Sequence, residues 1–196
     1  MSSNPFLLHS YPTKVRLHGE VYPLQWRVTD CVPAIMAFED ETLTAGEQQE
    51  ILLRRLYGKR IPPDREAALR FAVRFLDGGE QTAEEEREDG PPLRLYSFTR
   101  DGGMIYSAFR GQYGIDLQKD ELHWWAFLAL FHDLAADCRF YQILHYRKKW
   151  LEGTLSREEQ QIFERMGPEA MPPEQPGDRE RDEKARAFLR ALGEEV

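Results

Sequence analysis

The sequence predicts a mainly α-helical fold, a helical domain with a small N-terminal β-hairpin and a tethered C-terminal helix. Three observations carry that expectation. Within residues 120–136, Trp124, Phe127, Leu128, Phe131, Leu134 and Ala135 recur at steps of three and four, the helical period. Thr44 with Glu47, and Ser156 with Glu159, have capping-box spacing, in which hydroxyl and carboxylate satisfy each other's backbone N–H groups. Val15, Leu17, Val21, Tyr22 and Leu24 flank His18-Gly19, a hairpin pattern, because Gly supplies the positive φ of a tight turn.

The 120–136 stretch organises the rest. Trp125 and Leu130 lie off its stripe, so this helix is apolar around most of its circumference. Such a helix is buried on several sides. Truncating a buried Trp or Phe to Ala costs roughly 3–5 kcal/mol, against a net domain stability of about 5–15 kcal/mol. Asp120 is its expected cap.

The chain divides into a flexible leader (residues 1–12), a helical domain (13–166), and a linker with an amphipathic C-terminal helix (167–196). In the hairpin, a three-residue loop pairs Leu17 with Val21 and a two-residue loop pairs it with Glu20; both registers stay open. Thr29 or Asp30 caps a short helix carrying Ile35, Met36 and Phe38, with Pro33 in its first turn, where a missing N–H costs least. Thr44 opens a helix with the stripe Ile51, Leu52, Leu56, and Gly58 stops it. Pro62-Pro63 opens the next, with Asp64 and Glu66 suited to its positive end. Ala68, Phe71, Ala72, Phe75 and Leu76 share its inner face, and Gly78-Gly79 ends it.

Residues 80–92 are acidic and polar and read as an exposed, mobile loop. A short extended segment over 93–98 leads to a helix over 101–113 presenting Tyr106, Phe109 and Tyr113. Its Gly102-Gly103 pair should weaken the first turn by about 1 kcal/mol per Gly relative to Ala. After Asp137 a helix points Phe140, Tyr141 and Leu144 inward and ends in solvated Arg147, Lys148 and Lys149, cations that suit the negative helix end. Ser156 opens a helix with Ile162, Phe163 and Met166. Residues 167–182 read as a linker, and 183–192 as a last helix with Ala185, Phe188, Leu189 and Leu192 on one face.

Composition narrows the function. Acidic residues number 34 against 26 basic, a net charge of −8. That balance opposes nucleic acid as the main partner, since such proteins neutralise phosphates with basic patches, and it opposes an anionic membrane surface. Cys31 and Cys138 lie far apart and read as reduced thiols. Phe6-Leu7-Leu8 is too short for a signal-peptide core and no Lys or Arg precedes it. A soluble intracellular protein is expected. Phosphate-loop, dinucleotide and nucleophile-elbow motifs are absent, as is Cys-x-x-Cys. No cofactor is expected.

His132-Asp133 is the one candidate metal pair. HD-type phosphohydrolases hold divalent metals with a His-Asp pair plus a further His and Asp. Here His123 or His145 would be the extra imidazole, and Asp137 or Asp116 the extra carboxylate. His123 and His132 are nine residues apart, which puts them on opposite sides of one helix. The pair therefore reads as the wetter side of a buried helix. The last helix is the stronger candidate for function, because a narrow amphipathic helix on a tether is a common helix-in-groove device. Phe188, Leu189 and Leu192 are the nominated partner-binding residues, with Leu52 and Leu56 behind them.

Ordered segments of the chain resemble a known family. Tyr113-Gly114-Ile115-Asp116-Leu117 followed by Leu122-His123-Trp124-Trp125-Ala126-Phe127 is the most specific. Gly19-Glu20-Val21-Tyr22-Pro23-Leu24, Phe38-Glu39-Asp40, Ile105-Tyr106-Ser107-Ala108-Phe109, Tyr146-Arg147 and Leu155-Ser156-Arg157-Glu158-Glu159 follow the same order. Over residues 11–166 the chain resembles the gene-product-15 family of long-tailed phages and prophages. It departs at Gly102-Gly103, where that family usually has an acidic pair. The family's genes typically lie between those for the tail tube and the tape measure. The resemblance therefore implies a non-enzymatic tail-assembly chaperone that binds the tape-measure protein, with the tail-tube protein as a second partner and self-association open. A metal-dependent phosphohydrolase and a structural tail component are the alternatives.

Overall fold

The hairpin comes first because its register decides which face it buries. In the computed structural model, which describes residues 10–79 and 93–175, β1 (Lys14–Leu17) and β2 (Glu20–Pro23) pair antiparallel with Leu17 opposite Glu20. The loop is therefore two residues, His18 and Gly19, at φ 48° and 85°. Two positive φ values are what a type I′ turn requires. Tyr22 and Leu24 face inward and are buried. His18 Nε2 lies 2.8 Å from Asp64 Oδ2, tying the turn to the start of the third helix.

Seven helices follow among the described residues: α1 (Val28–Glu39), α2 (Ala45–Tyr57), α3 (Arg65–Leu76), α4 (Phe98–Tyr113), α5 (Trp124–His132), α6 (Arg139–Leu151) and α7 (Arg157–Met166). The chain is mainly helical, as the sequence predicts. It divides into two compact units: residues 10–79 and 98–141 in the first, 93–97 and 142–175 in the second. The first turn of α6 thus belongs to the first unit and its remainder to the second.

In the first unit, α1 and α2 pack together. The buried positions of α1 are Val28, Cys31, Ala34 and Ala37, so its small residues face inward while Phe38 is exposed. Sequence reading placed Ile35, Met36 and Phe38 as the apolar markers and Thr29 or Asp30 as the cap. The observed N-cap is Arg27, which puts Pro33 in the second turn. Burial pushes the Cys31 thiol up. Both capping boxes form as expected, at Thr44/Glu47 and Ser156/Glu159. Asp64 caps α3, accepting from the Ala67 N–H at 3.0 Å.

Helix α4 starts three residues earlier than expected because a distant carboxylate caps it. Glu39 Oε1 accepts from the Phe98 N–H at 2.8 Å, and Oε2 from the Thr99 N–H at 3.0 Å. Helix α5 is shorter than the expected 120–136 stretch. His123, not Asp120, is its N-cap. Asp120 instead closes the preceding turn, its Oδ2 accepting from the Asp116 N–H at 2.8 Å. The stripe holds in part: Trp124, Phe127 and Phe131 are buried on α5 and Leu134 just beyond its end, while Leu128 is half-buried and Ala135 exposed. Phe127 stacks on Phe109 with ring centroids 4.8 Å apart and on Trp124 at 5.1 Å.

Helix α6 corrects a second reading. Its buried residues are Phe140, Ile143 and Arg147, while Tyr141 is 44% exposed and Leu144 only half-buried. Arg147, expected to be solvated, is fully buried in the second unit. Both cysteines are free thiols. No described helix is long and apolar enough to cross a membrane. The expected 80–92 loop and the 183–192 helix lie outside the described residues.

Candidate functional site

Residues 122–125 form the anchor of the first unit. Residues 26–28 and 122–124 run antiparallel: the Trp124 N–H donates to Trp26 O at 2.8 Å and the Val28 N–H to Leu122 O at 3.1 Å. The N-caps of α1 and α5 are thereby paired. The His123 ring stacks between Tyr11 and Trp26 at 4.7 and 5.3 Å. Its Nδ1 accepts from the Trp125 N–H at 3.0 Å, and Nε2 donates to Pro12 O at 3.1 Å. This pattern assigns the neutral tautomer, because a second ring proton would face the Trp125 N–H. Burial pulls the His123 pKa below its ordinary value, partly opposed by the Pro12 carbonyl.

The two tryptophans complete the C-terminal end of α3. That helix ends in a Schellman motif: Gly79 N–H donates to Arg74 O at 2.9 Å and Gly78 N–H to Phe75 O at 3.2 Å. The Trp124 and Trp125 Nε1–H groups donate to Leu76 O and Phe75 O, each at 2.8 Å. The side-by-side pair is thus a double cap on helix carbonyls rather than a ligand platform.

Where the first unit shows a filled core, the second shows an open groove. Gly153, at φ 66°, ends α6 with a second Schellman motif: Thr154 N–H donates to Lys149 O at 2.9 Å and Gly153 N–H to Trp150 O at 3.1 Å. The chain turns there into α7. Lys149 pairs with Glu159, the same carboxylate that closes the α7 capping box. The Lys149 ammonium, with the Ser156 N–H behind it, holds the Glu159 pKa down at about 2. Arg147 fixes the return of the chain after α7, through a 3-10 turn at Pro168–Ala170. Its guanidinium donates to Leu95 O at 3.0 Å, Glu169 O at 2.7 Å and Ala170 O at 3.2 Å.

Between these fixed segments lies a cavity of about 600 Å³, lined by Trp150, Leu155, Phe163 and Met171 and edged by Gln160 and Glu164. Trp150 and Phe163 stack at 6.3 Å. Trp150 is 43% and Met171 40% exposed, so apolar surface faces solvent across the groove. Ile162 adds a further exposed apolar side chain on α7. The lining is apolar except for Gln160 and Glu164 at its edge, a surface suited to an apolar face.

The sequence-nominated residues fall elsewhere. Leu52 and Leu56 are 1% and 2% exposed in the α2 core, so packing has already consumed the face they were to offer a partner. Phe188, Leu189 and Leu192 lie outside the described residues. His132 and Asp133 are exposed at the end of α5, with Asp133 as its C-cap. Among the described residues no group of three or more His, Cys, Asp and Glu is placed to hold a metal ion. The groove residues Trp150, Leu155 and Met171 were missed, although Trp150 on the outer side of a polar helix end was a signal.

Residues 8–169 match the bacteriophage Gp15 protein family. The chain belongs to that family. No curated protein matches it, and no solved structure does. The segments that carry the family resemblance have structural roles here. Glu39 caps α4, His123-Trp124-Trp125 joins α5 to α1 and α3, and Arg147 gathers carbonyl oxygens in the second unit. In the same way the Tyr113 hydroxyl donates to Leu130 O at 2.8 Å, and Asp116 Oδ1 accepts from the Gln118 N–H at 3.1 Å.

Proposed function

We propose that this phage protein is a non-enzymatic tail-assembly chaperone, which binds the tape-measure protein in the host cytoplasm before the tail tube forms. The observation that carries the reading is the half-open apolar groove of the second unit. A tape-measure protein is a long helical chain with apolar stretches, and an amphipathic helix laid in a groove buries such a stretch. The net charge of −8 keeps the complex dispersed by self-repulsion. Binding has to be reversible, because tube protein must displace the chaperone. Half-exposed Trp150 and Met171 suit that, since a shallow apolar contact releases more readily than a buried one.

Pull-down of the tape-measure protein, with a parallel assay of purified virions, tests this. The chaperone reading expects the chain in the pull-down and absent from virions. A chain found as a stoichiometric virion component makes it a structural tail part instead.

A further inference from the structure

We infer that the groove of the second unit selects a basic amphipathic helix, one whose apolar stripe is flanked on one side by Lys or Arg. This rests on the reading of the groove as the site for a partner helix, and names the chemistry of that helix. An apolar stripe alone satisfies the apolar lining of Trp150, Leu155, Phe163 and Met171. Apolar burial is non-directional, so that lining supplies affinity without fixing which flank of the helix faces which wall.

The polar edge fixes it. On α7, Gln160 and Glu164 lie one turn apart and form a row beside buried Phe163. Glu164 is exposed and accepts a hydrogen bond from Gln160 Nε2 at 3.2 Å. Among the described residues no cation pairs with it. The cations around it are engaged elsewhere: Lys149 with Glu159, Lys148 with Glu152 at 3.8 Å, and Arg165, whose Nε donates to Gln161 O at 3.0 Å. Glu164 is thus a charged group of the described lining whose charge is unmet.

A helix lying on Trp150 and Phe163 brings one flank over this row. A Lys or Arg there lays its methylene stem on the apolar lining and carries its charged head to Glu164. An Asp or Glu at the same place meets a like charge, and the net charge of −8 repels an acidic segment before contact. The groove therefore sorts helices of equal apolar content by the sign of their flank.

The test titrates the full chain with three labelled synthetic helices, read by fluorescence anisotropy. They share one Leu stripe and differ only in the flanking residues, all Lys, all Gln or all Glu. Affinity should fall in the order Lys, Gln, Glu, several-fold at each step in low salt, with the gaps closing as salt screens them. Glu164→Lys should remove the preference for the Lys helix. Glu158→Lys makes the same change in net charge at an exposed α7 position outside the lining, and should keep that preference. Three helices bound equally well, with binding lost in Trp150→Ala, overturn the inference and leave the groove reading intact. A Lys preference that survives Glu164→Lys, or that Glu158→Lys removes as fully, belongs to net charge alone and also overturns it. If no helix binds, the groove reading fails together with the inference.

Discussion

The Trp125 ring occupies the space that a side chain on Gly79 would need: a Cβ built there meets Trp125 Cη2 at 2.6 Å and Cζ2 at 2.9 Å. Gly79 also sits at φ 83°, in the left-handed region. Close approach and backbone conformation thus make one demand. Gly79→Ala should destabilise the first unit by about 1–3 kcal/mol. Urea unfolding checks the value. In the double variant with Trp125→Ala, part of that cost should vanish, because the clash is relieved.

The two indoles are not equivalent. Trp124 is 1% exposed, and its Nε1–H reaches Leu76 O; Trp125 is half-buried, and Phe75 O keeps the Gly78 N–H when the indole is lost. Trp124→Phe should therefore cost more than Trp125→Phe. A buried carbonyl left without its donor costs about 1–3 kcal/mol. Chemical denaturation of the two single variants measures the difference.

Much of this anchor was legible and some was not. The helical stripe at 124, 127 and 131, both capping boxes and the stops at Gly58 and Gly78 follow from local spacing. The end of α3 capped by tryptophans 48 and 50 residues away does not, nor does the start of α4 capped by Glu39 from 59 residues away. Those are tertiary hydrogen bonds with no local pattern. Arg147 misled for the same reason. A cation at a helix end reads as solvated unless three carbonyl oxygens from elsewhere in the chain are known to surround it. The groove was hidden because its walls come from a helix end, a turn and a later helix.

Arg147 should be intolerant of replacement. Removing one partner from a buried charged network costs roughly 3–5 kcal/mol. Arg147→Met leaves Leu95, Glu169 and Ala170 oxygens without that donor, and Arg147→Lys lacks the planar fork that reaches several at once. Hydrogen exchange should show lost protection in the second unit for both variants, with the Met form worse.

Gly102 and Gly103 lie within α4, where an added Cβ meets nothing within 4 Å. Alanine at either position should stabilise by about 0.5–1 kcal/mol, because it restricts the unfolded chain at no steric cost. A rise in the thermal midpoint for each variant is the expected result.

His123 makes stability pH-dependent. Its folded pKa lies below the unfolded value of about 6.5. Between the two values the unfolded chain binds more protons, so the contribution is present above about 6.5 and is lost as pH falls toward the folded pKa. Unfolding free energy should decline across that window, and His123→Gln should flatten the decline.

The most direct measurement is the soluble fraction of the neighbouring tape-measure protein when co-expressed with this chain, with a Trp150→Asp variant, and with neither. The account predicts a soluble complex with the parent chain and a markedly smaller soluble fraction with the variant, whose first unit still unfolds as the parent's does. A tape-measure protein that precipitates as readily with the parent chain as without it contradicts the chaperone reading.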